Sequence, residues 1–368
     1  MDVKKNVENK SIVVEHFSVL GLCVYPSTAA STRLRLSYLI PSVAGLGGVL
    51  EVRPFLNELG FDQWSRGGLF RMLAVLRAVP RLLHTLLLLP GYNVVIVQRE
   101  ALPFNTLFLE RLAVLMSKPI VWDVDDALWE DSGRNRWIRG TPAKSRWLAR
   151  KSEEVWAGNK AIERWAISEG SACVQFVPTT TSIPPINSLN PNSNRLAWIG
   201  TPATGPFIEA LVWDLRDSLA EWVIDVVGAE IKSPPNLSIN QYSWSPEVES
   251  DILSKAWIGL YPMDVNNPYV HGKSALKAIL YGAYGIPTIA TSTEATKTVI
   301  QNGETGFLCQ NRDDWLAALH MLKDDNMRRE LGGSAHKFIQ EEYDPILWRT
   351  RMARRLENLL ANRVRSGH

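Results

Sequence analysis

Cysteine is scarce in this chain: three in 368 residues, at positions 23, 173 and 309. So few and so scattered, they form neither a disulfide framework nor a metal-binding set, and a reducing cytoplasm is the expected compartment. Charge imbalance is nearly absent as well. A net charge of +2 is too small to suggest a nucleic-acid partner. The first ten residues are polar and expected to fray, and no charged-then-apolar signal segment follows them. No run is read as approaching the ~20 apolar residues of a membrane span. The first strand–helix loop lacks the glycines of the dinucleotide fingerprint. No pair of acid and base residues stands out that could flank a substrate.

What remains is an ordinary globular composition, 46% apolar and 21% charged, in a length suited to about two domains. Short apolar runs at 17–25, 48–55, 93–98, 119–122, 154–158 and 174–177 read as strands separated by helical stretches. A Pro- and Asn-rich segment at 183–194 reads as a linker. The alternation then restarts, with strands at 195–199, 222–228, 236–240, 257–261 and 288–290. This predicts an α/β protein of two Rossmann-like, doubly wound domains facing a cleft: 11–182 and 195–343, with a last helix in 344–368. Helices are expected at 32–43, 69–89 (kinked or divided at Pro80), 206–219, 246–255, 313–321 and 326–341.

The segment 269–291 draws most attention. Ala275, Leu276, Ala278, Ile279, Ala283 and Tyr284 form an apolar stripe at helical spacing, Gly285 is placed to end the helix, and Pro287 forbids its continuation. Lys273 and Lys277 stand four apart, hence on one face of the helix start. Two cations repel each other and the dipole there, whereas a bound dianion would reverse both terms. A nucleotide diphosphate fits that requirement; solvated surface lysines covering apolar neighbours remain the plain alternative.

Other positions carry chemistry too. Arg33 and Arg35 open the helix that follows the first strand and its small-residue loop, a geometry suited to an anion or to an ordinary βα turn. Asp123, Asp125 and Asp126 cluster at a strand end, where they would contact ligand hydroxyls, tune a neighbouring arginine or cap a helix. Arg99 and Asn159 end two other strands. Gly200, Thr201 and Thr204 lie in a tight loop before a helix, where backbone N–H groups and hydroxyls could hold a phosphate. The 69–89 stretch mixes leucines with Arg71, Arg77, Arg81 and His84. It reads either as a sheet-covering helix or as one lying on an anionic membrane.

These segments resemble the GT-B glycosyltransferases, in particular the large retaining family 4. That family's donor helix reads roughly Lys-x-x-Glu-Tyr-x-Ala-x-Gly-x-Pro, matched here by Lys277, Tyr281, Ala283, Gly285 and Pro287. The family's two glutamates, eight residues apart, fall on Gly272 and Leu280, so its usual carboxylate contacts are missing. A branch with Gly-Lys-x-x-x-Lys in place of the acids is more similar. The resemblance implies a nucleotide-sugar donor on the second domain, with Lys273 and Lys277 on its phosphates and His271, Gly272 and Tyr281 around it. It further implies a glycan or lipid-linked acceptor entering from the first domain, Arg33 and Arg35 approaching the phosphates, no metal or other cofactor, and a C-terminal helix crossing back to the first domain. Cell-surface polysaccharide or glycoconjugate synthesis at the inner face of a membrane is the expected setting. A nucleotide-sugar epimerase of the same fold and a non-catalytic glycan-binding relative are the alternatives.

Overall fold

The computed structural model describes residues 16–130, 142–185 and 194–366. The fraying expected of residues 1–10, and most of the linker expected at 183–194, lie outside them. Two six-stranded parallel sheets carry the fold. The first comprises β1 (Ser18–Cys23), β2 (Val49–Pro54), β3 (Val94–Gln98), β4 (Ile120–Val124), β5 (Glu154–Ala157) and β6 (Val174–Phe176), in the order β2-β1-β3-β4-β5-β6. The second comprises β7 (Arg195–Ile199), β8 (Val223–Val227), β9 (Ser238–Tyr242), β10 (Ile258–Tyr261), β11 (Thr288–Thr291) and β12 (Gly306–Cys309), in the order β12-β11-β10-β7-β8-β9. Parallel neighbours need crossovers, and helices between the strands supply them. The chain divides into two compact units, Met1–Val121 with Arg349–His368, and Trp122–Trp348.

The second sheet positions the candidate site. From the central β7 the chain winds outward through β8 and β9, then returns to β10 on the other side of β7. That is the doubly wound order whose reversal opens a crevice at the carboxyl ends of the two central strands. β7 and β10 pair at Leu196 with Ile258 and at Ala197 with Gly259. At the ends of the two strands a side chain bridges them: the Tyr281 hydroxyl donates to Leu260 O (3.2 Å) and accepts from Ile199 N (3.1 Å). Gly259 makes room for that ring, since a Cβ there would lie 2.2 Å from it. Beneath the crevice, Trp198, Ile208, Val212, Ile224, Ile258 and Ile289 pack into one core. The only charges in this part of the sheet are matched across strands. Arg195 on β7 makes two 2.7 Å bonds to the buried Asp225 on β8, and Asn240 on β9 adds a third at 3.0 Å.

The structure departs from the sequence reading at several places. The helix expected over 32–43 is broken into Ala30–Arg35, a 3-10 turn at Ser37–Leu39, and Ile40–Ala44. Pro41, which has no N–H to donate, is placed at the start of the last piece. An unexpected helix, Glu58–Arg66, begins where the Asn57 side chain accepts from Gly60 N at 2.8 Å. The helix Gly68–Leu88 runs unbroken through Pro80, which lies on its exposed side, where water can take the carbonyl that the ring leaves unbonded. By length and composition, Gly68–Gly91 is long and apolar enough to cross a membrane, contrary to the sequence reading. The helix expected at 206–219 is two, Gly205–Asp214 and Arg216–Leu219. In the unit that holds residues 1–121, Arg363 of the last helix, Pro345–Ser366, donates to Ser117 O at 3.0 Å. Arg349 of the same helix lies 5.3 Å from the Tyr38 ring.

Candidate functional site

The lysine segment folds differently from the reading that singled it out. The helix starts at Leu276 and ends at Ala283, and Ala275 just before it is left-handed (φ 52°, ψ 28°). Lys273 is extended (φ −74°, ψ 154°) and closes a 3-10 turn, Pro268–Gly272. Lys273 is therefore not on the helix, and the shared-face argument fails. Lys277 alone occupies the first helical turn.

Lys277 sits where the sheet divides. Its ammonium lies 5.3 Å from the Trp198 ring of β7 and 5.0 Å from the ring of Tyr261, the last residue of β10. Two aromatic faces thus hold a partly buried cation at the carboxyl ends of the two strands flanking the crevice. Burial, and then the charge of Lys273, lower its pKa from 10.5 to about 7. Lys273 Nζ itself lies 5.7 Å from the Tyr269 ring. Tyr261 is pushed upward by burial and then by the charge of Asp126.

Two contacts within the same unit fix the Lys273 backbone. Asn159, buried, uses both ends of its amide. Its oxygen accepts from Ile162 N (2.8 Å) to cap the helix Lys160–Ser168, and its nitrogen donates to Lys273 O (2.7 Å). Gly272 lies flat on Ala127, since a Cβ would come within 2.3 Å of the Ala127 Cβ and 2.9 Å of its nitrogen. Ala127 directly follows Asp125 and Asp126, so the lysine segment and the aspartate-bearing turn touch. Asp123 lies inside β4 rather than past its end, wholly buried, and Asp125 is buried beside Gly158. His271 Nδ1 is enclosed and has no hydrogen-bond partner among the described residues.

The remaining sequence candidates separate. In the 200–204 loop, the Thr204 hydroxyl accepts from Thr201 N and donates to Thr201 O, both at 3.1 Å. The loop thus satisfies much of its own polarity, and Pro206 removes a further donor from the helix start. Gly200 is required by packing, because a Cβ would lie 2.2 Å from the Trp198 ring. Tyr281 is enclosed, its hydroxyl committed to the strand gap. Arg33, Arg35 and Arg99 belong to the other unit. Arg33 and Arg35 stand in the last turn of a six-residue helix, not its first, with Arg35 buried and Arg33 donating to Thr28 O at 3.2 Å. Arg99 is left-handed at φ 60° directly after β3. Among the described residues no group of three His, Cys, Asp or Glu is placed to hold a metal ion. The aromatic seat of Lys277 escaped the sequence reading, because Trp198 and Tyr261 look there like ordinary strand residues.

Known proteins share this architecture. Sucrose-phosphate synthase from Thermosynechococcus elongatus superposes with a TM-score of 0.67 at 12% identity, over 95% of this chain and all of that one. Anabaena HepE, solved in complex with UDP-glucose, gives 0.64 at 12% identity over 93% of this chain and all of that one. A variant of S. aureus TarM, solved with fondaparinux, alpha-GlcNAc-glycerol and UDP, gives 0.56 at 13% identity over 73% of this chain; the chain spans 55% of TarM. These likenesses establish the GT-B fold, two Rossmann-like domains. In sequence, 64 residues are 34% identical to N-acetyl-alpha-D-glucosaminyl L-malate synthase of Bacillus anthracis, a match spanning 17% of this chain and 17% of that enzyme. No family model matches the chain.

Proposed function

We propose that this protein is a glycosyltransferase that moves a sugar from a nucleotide-sugar donor to a glycan or lipid-linked acceptor, with retention and without a metal. The observation that carries the reading is the cation pair at the crevice of the second sheet. Lys277 sits between Trp198 and Tyr261, its pKa lowered to about 7 by burial and then by the charge of Lys273. An anion at that spot recovers the cost, because an opposite charge restores the ammonium form. A nucleotide diphosphate supplies two phosphates for the two lysines. As the glycosidic bond breaks, negative charge grows on the departing diphosphate. Fixed ammonium groups then stabilise the transition state more than the ground state. Asp125 and Asp126, on the turn that touches Gly272, are assigned to acceptor hydroxyls. The neighbours solved with UDP make uridine diphosphate sugars the first donors to test. Synthesis of cell-surface polysaccharide or glycoconjugate, in the cytoplasm and peripheral to the membrane, is the setting we assign.

The test is incubation of the purified protein with a panel of UDP-sugars. Slow release of UDP is expected, unaffected by EDTA. Loss of activity in chelator with recovery in manganese or magnesium would overturn the metal-free assignment. Epimerised donor without release, or no turnover at all, would each replace the transferase reading.

A further inference from the structure

The helix Gly68–Leu88 is amphipathic in the wrong sense for a sheet-covering element. Its fully buried residues are small ones, Ala74, Ala78 and Thr85. Its large apolar residues point outward at helical spacing: Leu69, Met72, Leu76, Val79, Leu83 and Leu87 are all exposed, with Leu76 at 60% and Leu87 at 79%. A continuous apolar ridge of this length is not left to water without a reason. Its charge names the covering partner. From Gln63 to Arg99 the chain contains no acidic residue. Arg71 is turned back on Trp64, donating to its carbonyl at 3.1 Å and lying 5.4 Å from its ring. Arg77 is exposed, whereas Arg81, on the helical stripe of Ala74, Ala78 and Thr85, is half-buried; neither makes an ion pair or side-chain hydrogen bond among the described residues. At the far end Lys118 donates to Pro90 O at 2.8 Å, and the exposed Leu115 and Met116 immediately precede that lysine's turn.

We propose that this outward ridge is a docking surface for an anionic lipid bilayer, which gives the peripheral placement a physical seat. The stripe of Ala74, Ala78 and Thr85 is packed on protein, so the helix is assigned to lie in the interface rather than to cross it. The leucines enter the acyl boundary, and the exposed Arg77 beside them meets the headgroup phosphates, with the half-buried Arg81 adding its charge from the protein side. A second copy of this chain would also cover leucines, but it would have to bring its own acids to Arg77 and Arg81. The ridge stands independently of the lysine site.

The experiment is co-sedimentation with vesicles of phosphatidylcholine, with and without phosphatidylglycerol, for the wild type, Leu76→Gln/Leu83→Gln and Arg77→Gln/Arg81→Gln. The wild type should bind the anionic vesicles and lose binding as salt rises. The leucine variant should fall by about tenfold or more per leucine. The arginine variant should lose about fivefold per arginine, and both variants should keep the wild-type Tm and UDP affinity. No sedimentation of the wild type, or equal binding by the leucine variant, overturns the proposal. Equal binding to neutral vesicles overturns the anionic part. A concentration-dependent dimer that the leucine variant abolishes, without vesicle binding, assigns the ridge to a second copy instead. Vesicle binding without donor turnover removes the transferase reading alone, and turnover without vesicle binding removes this one alone.

Discussion

With its ammonium lowered to about 7 by burial and by Lys273, Lys277 titrates near neutrality in the unliganded protein. The unfolded chain keeps that proton up to about 10.5, so between those values the unfolded state binds more protons. Stability therefore rises with pH across the window, and the full penalty is present below about 7. Lys277→Met should raise the Tm most below about 7, with the advantage over wild type shrinking as pH climbs toward 10.5. A Tm difference independent of pH would show that Lys277 is ordinarily solvated. The two lysines were legible as cations four apart at an expected helix start, although Lys273 lies ahead of the helix. Their surroundings were not, because Trp198 and Tyr261 come from strands whose only sequence signal is apolarity, and ring placement is settled by packing.

At the level of elements, the lysine helix ends as its sequence requires and starts as its sequence conceals. Gly285 is left-handed (φ 70°). Its N–H donates to Gly282 O (2.9 Å) and that of Ile286 to Tyr281 O (3.0 Å), the paired closing bonds of a glycine-stopped helix. Gly285→Ala should cost about 1–2 kcal/mol for the left-handed backbone alone, read as a lowered urea midpoint with an unchanged slope. A midpoint equal to the wild type would place the stop elsewhere, at Pro287. At the other end the turn is made by a left-handed alanine, a residue with no propensity for that conformation, which is why periodicity extended the helix one turn too far toward Lys273. The Gly68–Leu88 helix shows a similar limit. Its leucines repeat on one face in either reading, and only the packing of Ala74 and Ala78 shows that this face looks outward.

Across the whole molecule, alternating strands and helices made the two doubly wound sheets readable, since a parallel sheet needs a crossover after every strand. Strand order was not readable, because nothing local to β7 or β10 records that they become neighbours, and that adjacency creates the crevice. It also leaves Lys277, far from β7 in sequence, over the Trp198 ring. The central claim is that this crevice binds a nucleotide diphosphate through Lys273 and Lys277, and calorimetric titration with UDP in metal-free buffer tests it most directly. Lys273→Ala and Lys277→Ala should each weaken binding by roughly 10- to 150-fold, the worth of a hydrogen bond to a charged group, with no loss of Tm. In the wild type, binding near pH 8 should take up protons from the buffer as Lys277 is driven back to its ammonium form. Wild-type affinity in both variants, with no proton uptake, would contradict the account.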